Sequence, residues 1–218
     1  MRLILQNLLV LLFVAIFFTG CATPQPYDYS AYKEIRPHSI LMLPPINNAP
    51  DVTATYSMFS QMTYPLAEAG YYVFPATLVD ETFKQNGLTT PADIHSVAPT
   101  KLQEIFGADA ALYVTITSYG STYMVISSAT IVSANAKLVD LKTGKLLWQG
   151  SASASSDEGR GNSGGLAAVL ISAIVKQIAS TVFDAGHNVA GITSQRLLSA
   201  GHPFGILYGP RSPNYGKD

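Results

Sequence analysis

Apolar positions fall into four patterns along the chain, and each predicts a different element. Residues 8–18 form an unbroken apolar run behind Met1 and Arg2. The run falls well short of the roughly 20 apolar residues that cross a bilayer as a helix. A cation, a short apolar run and then small residues read as an export signal rather than a membrane span. Residues 39–43, 71–74 and 110–117 are short continuous apolar runs bounded by breakers, which predicts buried strands. Thr55, Phe59, Met62 and Leu66 recur at helical spacing and predict a helix over 52–69, kinked or divided by Pro65 and closed by Gly70. Strand, helix and strand in this order imply a right-handed crossover and parallel pairing.

Further along, the period changes. Val132, Ala134, Ala136 and Leu138 alternate with Ser133, Asn135 and Lys137, as in a strand with one wet face. Residues 140–145 read as a hairpin turn with Gly144 at the position that needs positive φ. Residues 146–154 return, with Leu146 and Trp148 expected on one side. Residues 123–129 read as an extra strand or a long lead-in. Helices are expected over 77–85, 100–106 and 190–199. The fold class is therefore α/β: a mixed sheet of about five strands, a parallel βαβ part plus a C-terminal antiparallel hairpin, flanked by helices.

Residues 166–185 predict a helix with two apolar rows. Leu170, Ile174, Ile178 and Val182 form one row, with Ile171, Val175 and Phe183 beside it. Lys176 interrupts the run and bars a membrane span. The apolar face is wider than a surface helix needs. Either both rows are buried against the sheet, or one meets a partner or a second copy, because a monomer would not leave so large a patch bare.

The lone cysteine, Cys21, follows Phe18-Thr19-Gly20 directly after the apolar run. Phe at −3 fits ordinary signal peptidase poorly and fits a bacterial lipobox better, with Phe18 standing where Leu is usual. The reading is a mature chain that begins at Cys21 with lipid on its sulfur. A single cysteine also excludes an intrachain disulfide framework. More than one acyl chain gives stable anchoring where one would be marginal. Ala22 follows instead of Asp, which by resemblance to Gram-negative lipoprotein sorting favours the outer membrane. The expected organisation is a signal peptide (1–20), a Pro-rich tether (21–37), one α/β domain (38–200) and an irregular Gly/Pro-rich tail (201–218). Such a tether would let the domain stand as much as ~50 Å off the membrane.

Without Arg2, the mature chain carries 12 basic against 14 acidic residues, so nucleic acid is not an expected partner. Charged residues make up only 12% of the chain, about half the usual share. Its surface must therefore be rich in Ser, Thr, Asn, Tyr and apolar atoms.

Motifs for chemistry are weak. Gly159-Arg160-Gly161-Asn162-Ser163-Gly164 matches G-x-G-x-x-G, but a polar approach replaces the buried strand that a dinucleotide site requires. His38, His95, His187 and His202 have no metal-ligand spacing. Asp80-Glu81 and Asp157-Glu158 are sequence neighbours and read as solvated charge. No catalytic residue, cofactor or metal is expected.

Several pieces occur in a telling order: the lipobox at Cys21, Leu43-Pro44-Pro45, Leu66-Ala67-Glu68-Ala69-Gly70-Tyr71-Tyr72-Val73, Phe106-Gly107-Ala108-Asp109-Ala110, Asp140-x-x-Thr143-Gly144-x-x-Leu147-Trp148 and Tyr208-Gly209-Pro210. Together they resemble a family of bacterial outer-membrane lipoproteins typified by a meningococcal vaccine-candidate antigen. The pieces around Gly70 and Asp109 also resemble the N-terminal domain of TolB and the curli secretion lipoprotein CsgG. The resemblance implies a mixed α/β module that serves envelope transport or assembly through contacts with other envelope proteins. Only Cys21 carries over as a functional position. Two alternatives stay open. One is a small-ligand receptor or periplasmic enzyme with a crevice at the strand C-termini, near Pro44-Pro45, Pro75 and Thr117-Ser118. The other is a surface-displayed antigen or adhesin.

Overall fold

The computed structural model describes residues 27–123, 128–158 and 185–218. Cys21, the motif at 159–164 and the expected helix over 166–185, with Leu170, Ile174, Ile178 and Val182, lie outside the described residues. The described elements are α1 (Ser30–Ile35), β1 (Ser39–Met42), β2 (Ile46–Asn47), α2 (Ala54–Glu68), β3 (Tyr72–Val73), α3 (Ala76–Gln85), α4 (Pro91–His95) and α5 (Pro99–Phe106), then β4 (Ala110–Tyr123), β5 (Ser128–Asp140), β6 (Leu146–Ser155) and α6 (Ala185–Leu198). They build one mixed sheet in the order β3-β1-β4-β5-β6, with β2 also on β4. β1 runs parallel to β3 and β4, while β4, β5 and β6 are antiparallel. The α/β class and the βαβ-plus-hairpin plan are as the hydrophobic pattern predicts.

The continuous apolar run of β1 follows from cover on both faces. Ile40 and Met42 enter one core with α2 and α6, where Met58, Phe59, Met62, Leu66, Val189 and Leu198 pack. Leu41 and Leu43 point the other way, onto Val79, Phe83, Ile94 and Leu102 of α3, α4 and α5. Full burial of such a side chain stabilises by about 1.5–3 kcal/mol. β5 is covered on one face only. Val132, Ala134, Ala136 and Leu138 are buried, while Asn135 and Lys137 are exposed. That is the alternation the sequence displays.

Two acidic side chains set the strand starts. Asp109 Oδ2 accepts from His38 N, Ser39 N and Ser39 Oγ at 2.9, 3.0 and 3.0 Å, pinning the start of β1 beside that of β4. Gly107, at φ +69, closes α5 just before it. Asp140 is 3% exposed, and its carboxylate accepts from Thr143 N and Oγ1 across the β5–β6 turn. Gly144 takes φ +72 there, as expected.

Four expectations are corrected. First, α2 runs through Pro65 to Glu68 without dividing. The bond lost at one proline is outweighed by the packed row on either side of it. Second, Leu146 and Trp148 do not share a side. The pairing slips between Leu138/Trp148 and Val139/Leu146, and this bulge turns Leu147 and Trp148 inward while Leu146 is 42% exposed. Third, residues 123–129 are no separate strand: β4 continues to Tyr123 and pairs with β5 from Ser128. Fourth, residues 27–37 are not an extended linker. Ser30–Ile35 is helical, and Tyr32 is 2% exposed.

The tail is irregular, as expected, yet it packs firmly. Gly209 N donates to Ala69 O at 2.8 Å and Arg211 N to Gly70 O at 3.0 Å. A Cβ at Gly70 would sit 2.5 Å from Ser212 N, and Gly70 holds φ +100. Only glycine satisfies both demands. Among the described residues, no helix is long and apolar enough to cross a membrane.

Candidate functional site

The uncovered face of the antiparallel half forms the floor of a groove. Tyr113 and Thr115 of β4, Asn135 and Lys137 of β5 and Gln149 and Ser151 of β6 line it. The His95–Pro99 connector makes one wall and Tyr27 the other, enclosing about 900 Å³. Strand alternation explains the floor, since these are the positions opposite the buried row.

His95 Nε2 lies 3.0 Å from Pro44 O and donates to it. The ring stands edge-on to Tyr113 with centroids 5.2 Å apart. Burial lowers the His95 pKa, and the Pro44 bond only partly opposes this. Burial raises that of Tyr113. Both are therefore neutral near pH 7. Lys137 is the one cation of the lining and has no ion-pair partner among the described residues. The groove can hold a polar ligand through amides, hydroxyls and one ammonium group.

A second polar assembly joins α2 to α6. Tyr119 OH donates to Ser57 Oγ at 2.7 Å, Ser57 Oγ lies 3.0 Å from His187 Nδ1, and Gln61 Nε2 lies 2.6 Å from His187 Nε2. With the Gln61 amide donating to Nε2, the ring proton resides on Nδ1 and points at the serine. The imidazole thus faces Ser57 as a donor and not as a base, which is the wrong arrangement for a nucleophile. Ser57 also lies 8% exposed inside a helix. The cluster fastens the two helices to each other.

The third assembly is the N-terminal arm. Tyr27 and Tyr29 stack at 4.7 Å. Gln149 N donates to Tyr27 OH at 2.9 Å, and Tyr29 OH donates to Gly205 O at 2.5 Å. At the same sheet edge, Arg196 Nη1 donates to Ser153 O at 2.7 Å and grips Glu158 through both guanidinium arms. Ser155 N donates to Glu158 Oε1 at 2.9 Å.

The four histidines go to four different places. His95 joins the groove, His187 the α2–α6 cluster, His38 offers its backbone to Asp109, and His202 Nδ1 lies 3.0 Å from Pro203 O. Past Pro44-Pro45 the chain continues along β4 as β2, and Thr55 Oγ1 donates to Pro45 O at 3.2 Å. The end of β1 is thus filled by its own continuation. The groove lies instead on the sheet face, where sequence reasoning placed no site. Its signal was the polar row at 133, 135 and 137 together with Tyr113 and Thr115 inside an apolar run.

A family model described as "Putative lipoprotein GNA1162-like" matches residues 27–211. The chain is 52% identical over 185 residues to "Putative lipoprotein NMB1124/NMB1162" of Neisseria meningitidis serogroup B, covering 85% of this chain and 86% of that one. The crystal structure of lipoprotein GNA1162 from Neisseria meningitidis superposes with a TM-score of 0.55 at 54% identity, over 66% of this chain and all of that one. The PelC dodecamer of Paraburkholderia phytofirmans, at 11% identity and a TM-score of 0.43 over 80% of this chain and 91% of that one, is a distant likeness only.

Proposed function

The chain belongs to the GNA1162-like lipoprotein family, and from that premise we propose a non-enzymatic lipoprotein held by lipid on Cys21 at the periplasmic face of the outer membrane, serving as a subunit of an envelope transport or assembly complex. The observation that carries the reading is the N-terminal arm. The segment that would lead from the anchor is stacked and hydrogen-bonded onto the domain from Tyr27 onward, so anchor and domain form one unit. Neither the family description nor the relative's name includes an activity. The apolar row Leu170, Ile174, Ile178 and Val182 supplies the contact with partner proteins or a second copy.

The test is affinity capture of the lipidated protein from membranes, with Cys21→Ser and Leu170→Asp run in parallel. Cys21→Ser shifts the protein out of the membrane fraction. Leu170→Asp keeps it there but loses the co-purifying subunits and any self-association in native mass spectra. A Cys21→Ser protein that still fractionates with membranes, together with a strictly monomeric parent that captures nothing, would sink the reading. Protease shaving of intact cells separates this orientation from surface display.

A second reading, a receptor for a small polar ligand, rests on the groove over Tyr113, Asn135 and Lys137. Thermal-shift screening of a metabolite panel tests it. Lys137→Ala should abolish any shift caused by an anionic ligand.

A further inference from the structure

We propose that the loop carrying Phe204 touches the lipid surface. The proposal rests on the lipid-anchor reading of Cys21. Phe204 is 48% exposed, although its neighbour Ile206 is buried. It also holds φ +66, a left-handed conformation that costs a non-glycine residue about 1–2 kcal/mol. The surroundings enforce it. Trp148 Nε1 donates to Phe204 O at 2.8 Å and Tyr29 OH to Gly205 O at 2.5 Å. A Cβ on Gly205 would meet Ser199 O at 2.8 Å. The loop is thus tightly built, and within the domain it gains nothing from displaying an aromatic ring. An outward phenylalanine on a braced turn is what an interfacial aromatic requires.

The anchor identifies the occupant. Tyr27 and Tyr29 are fixed beside this loop. Only six residues of chain separate Tyr27 from Cys21, a reach of about 20 Å at full extension. The side of the domain that bears Tyr29, Phe204 and Trp148 therefore faces the bilayer at close range. This replaces the ~50 Å stand-off that a free tether would allow. Lys217 and Asp218 of opposite charge stand near the loop, so no net like charge repels it from an anionic leaflet.

The experiment uses the full lipidated chain in phosphatidylethanolamine/phosphatidylglycerol vesicles. Cys21 is the sole cysteine, so once it is acylated Phe204→Cys carries the one free thiol for a polarity-sensitive fluorophore. Leu78→Cys, at an exposed position on the opposite helical layer, is the control. Emission at 204 shifts to the blue and is lost to a nitroxide-bearing lipid, while emission at 78 is unchanged. Equal behaviour at the two positions in protein that floats with vesicles overturns the loop contact alone. Protein that does not float, and labels at Cys21, overturns the anchor reading and the proposal with it. Hydrogen exchange on the unlabelled parent covers the case of a misfolded variant. Amides 201–206 slow on vesicles relative to soluble Cys21→Ser protein, and unchanged rates overturn the proposal.

Discussion

Tyr32 donates its phenolic hydrogen to Tyr71 at 2.7 Å, and Tyr71 passes its own to the carbonyl of Leu207 at 2.6 Å. This short chain links the N-terminal arm, the β3 edge and the C-terminal tail. Tyr71→Phe leaves the Leu207 carbonyl and the Tyr32 hydroxyl unpaired and should cost about 1–3 kcal/mol in urea unfolding. Tyr32→Phe removes one bond and should cost about 1 kcal/mol. The double variant should lose less than the sum of the two, because the groups are in contact. Strict additivity would show that the bond contributes nothing.

The same phenols set an alkaline limit. Burial first, then Tyr27 and Asp218, push Tyr29 up to about 12, and burial raises Tyr32 and Tyr71 as well. A folded pKa above the unfolded value near 10 means stability is full below pH 10 and falls as pH rises toward and past 12. Phenolate absorbance should therefore lag behind that of free tyrosine and then rise together with loss of circular dichroism. A titration complete near pH 10 without unfolding would contradict this.

Gly70→Ala should cost about 2–3 kcal/mol, combining left-handed strain with a clash. The added carbon meets Ser212 N and Gly209 O in the tail. Limited proteolysis should cut the variant first within 201–218, where the parent resists. An unchanged cleavage pattern would mean the tail does not depend on this contact.

Glu158 titrates below its ordinary value, chiefly through its bond to Arg196. A depressed folded pKa gives stability that is present above the unfolded value near 4.5 and lost as pH falls through the folded one. The pair is partly exposed, so its worth is about 0.5–1 kcal/mol after solvent screening. Glu158→Gln should lower the unfolding midpoint at pH 7 and make no difference at pH 3. Equal shifts at both pH values would remove the charge from the explanation.

The core of this fold was legible because its period changes where its environment does. The β1 run 39–43 is apolar throughout because helices cover both sides, and 132–138 alternates because one side is bare. The groove was harder to see. It draws residues from three strands, a helix connector and Tyr27, and no local window contains that combination. The arm was misread because Pro24, Pro26 and Pro37 outweighed three tyrosines at 27, 29 and 32. Their partners, Gln149, Gly205 and Tyr71, lie 39 to 176 residues away along the chain. The bulge at Leu147 was hidden for a different reason, since two adjacent apolar residues fit either face of a strand. The Ser57–His187 pair shows the opposite hazard. It matches a catalytic combination by residue type, and only the tautomer imposed by Gln61 shows it to be a fastening.

β6 is an outer strand of the sheet, and its free edge is already occupied at Gln149 by Tyr27, at Ser153 by Arg196 and at Ser155 by Glu158. On a membrane this matters more than in solution, since anchoring confines neighbours to two dimensions and keeps their edges meeting in similar orientations. An open ten-residue strand in that crowd would recruit copies of itself without limit. With Tyr27 and Arg196 in place, no second chain can extend the sheet through β6 unless it first displaces both. A ring or bundle of copies must then be joined by side-chain surfaces, whose geometry closes, and not by backbone pairing, whose geometry does not.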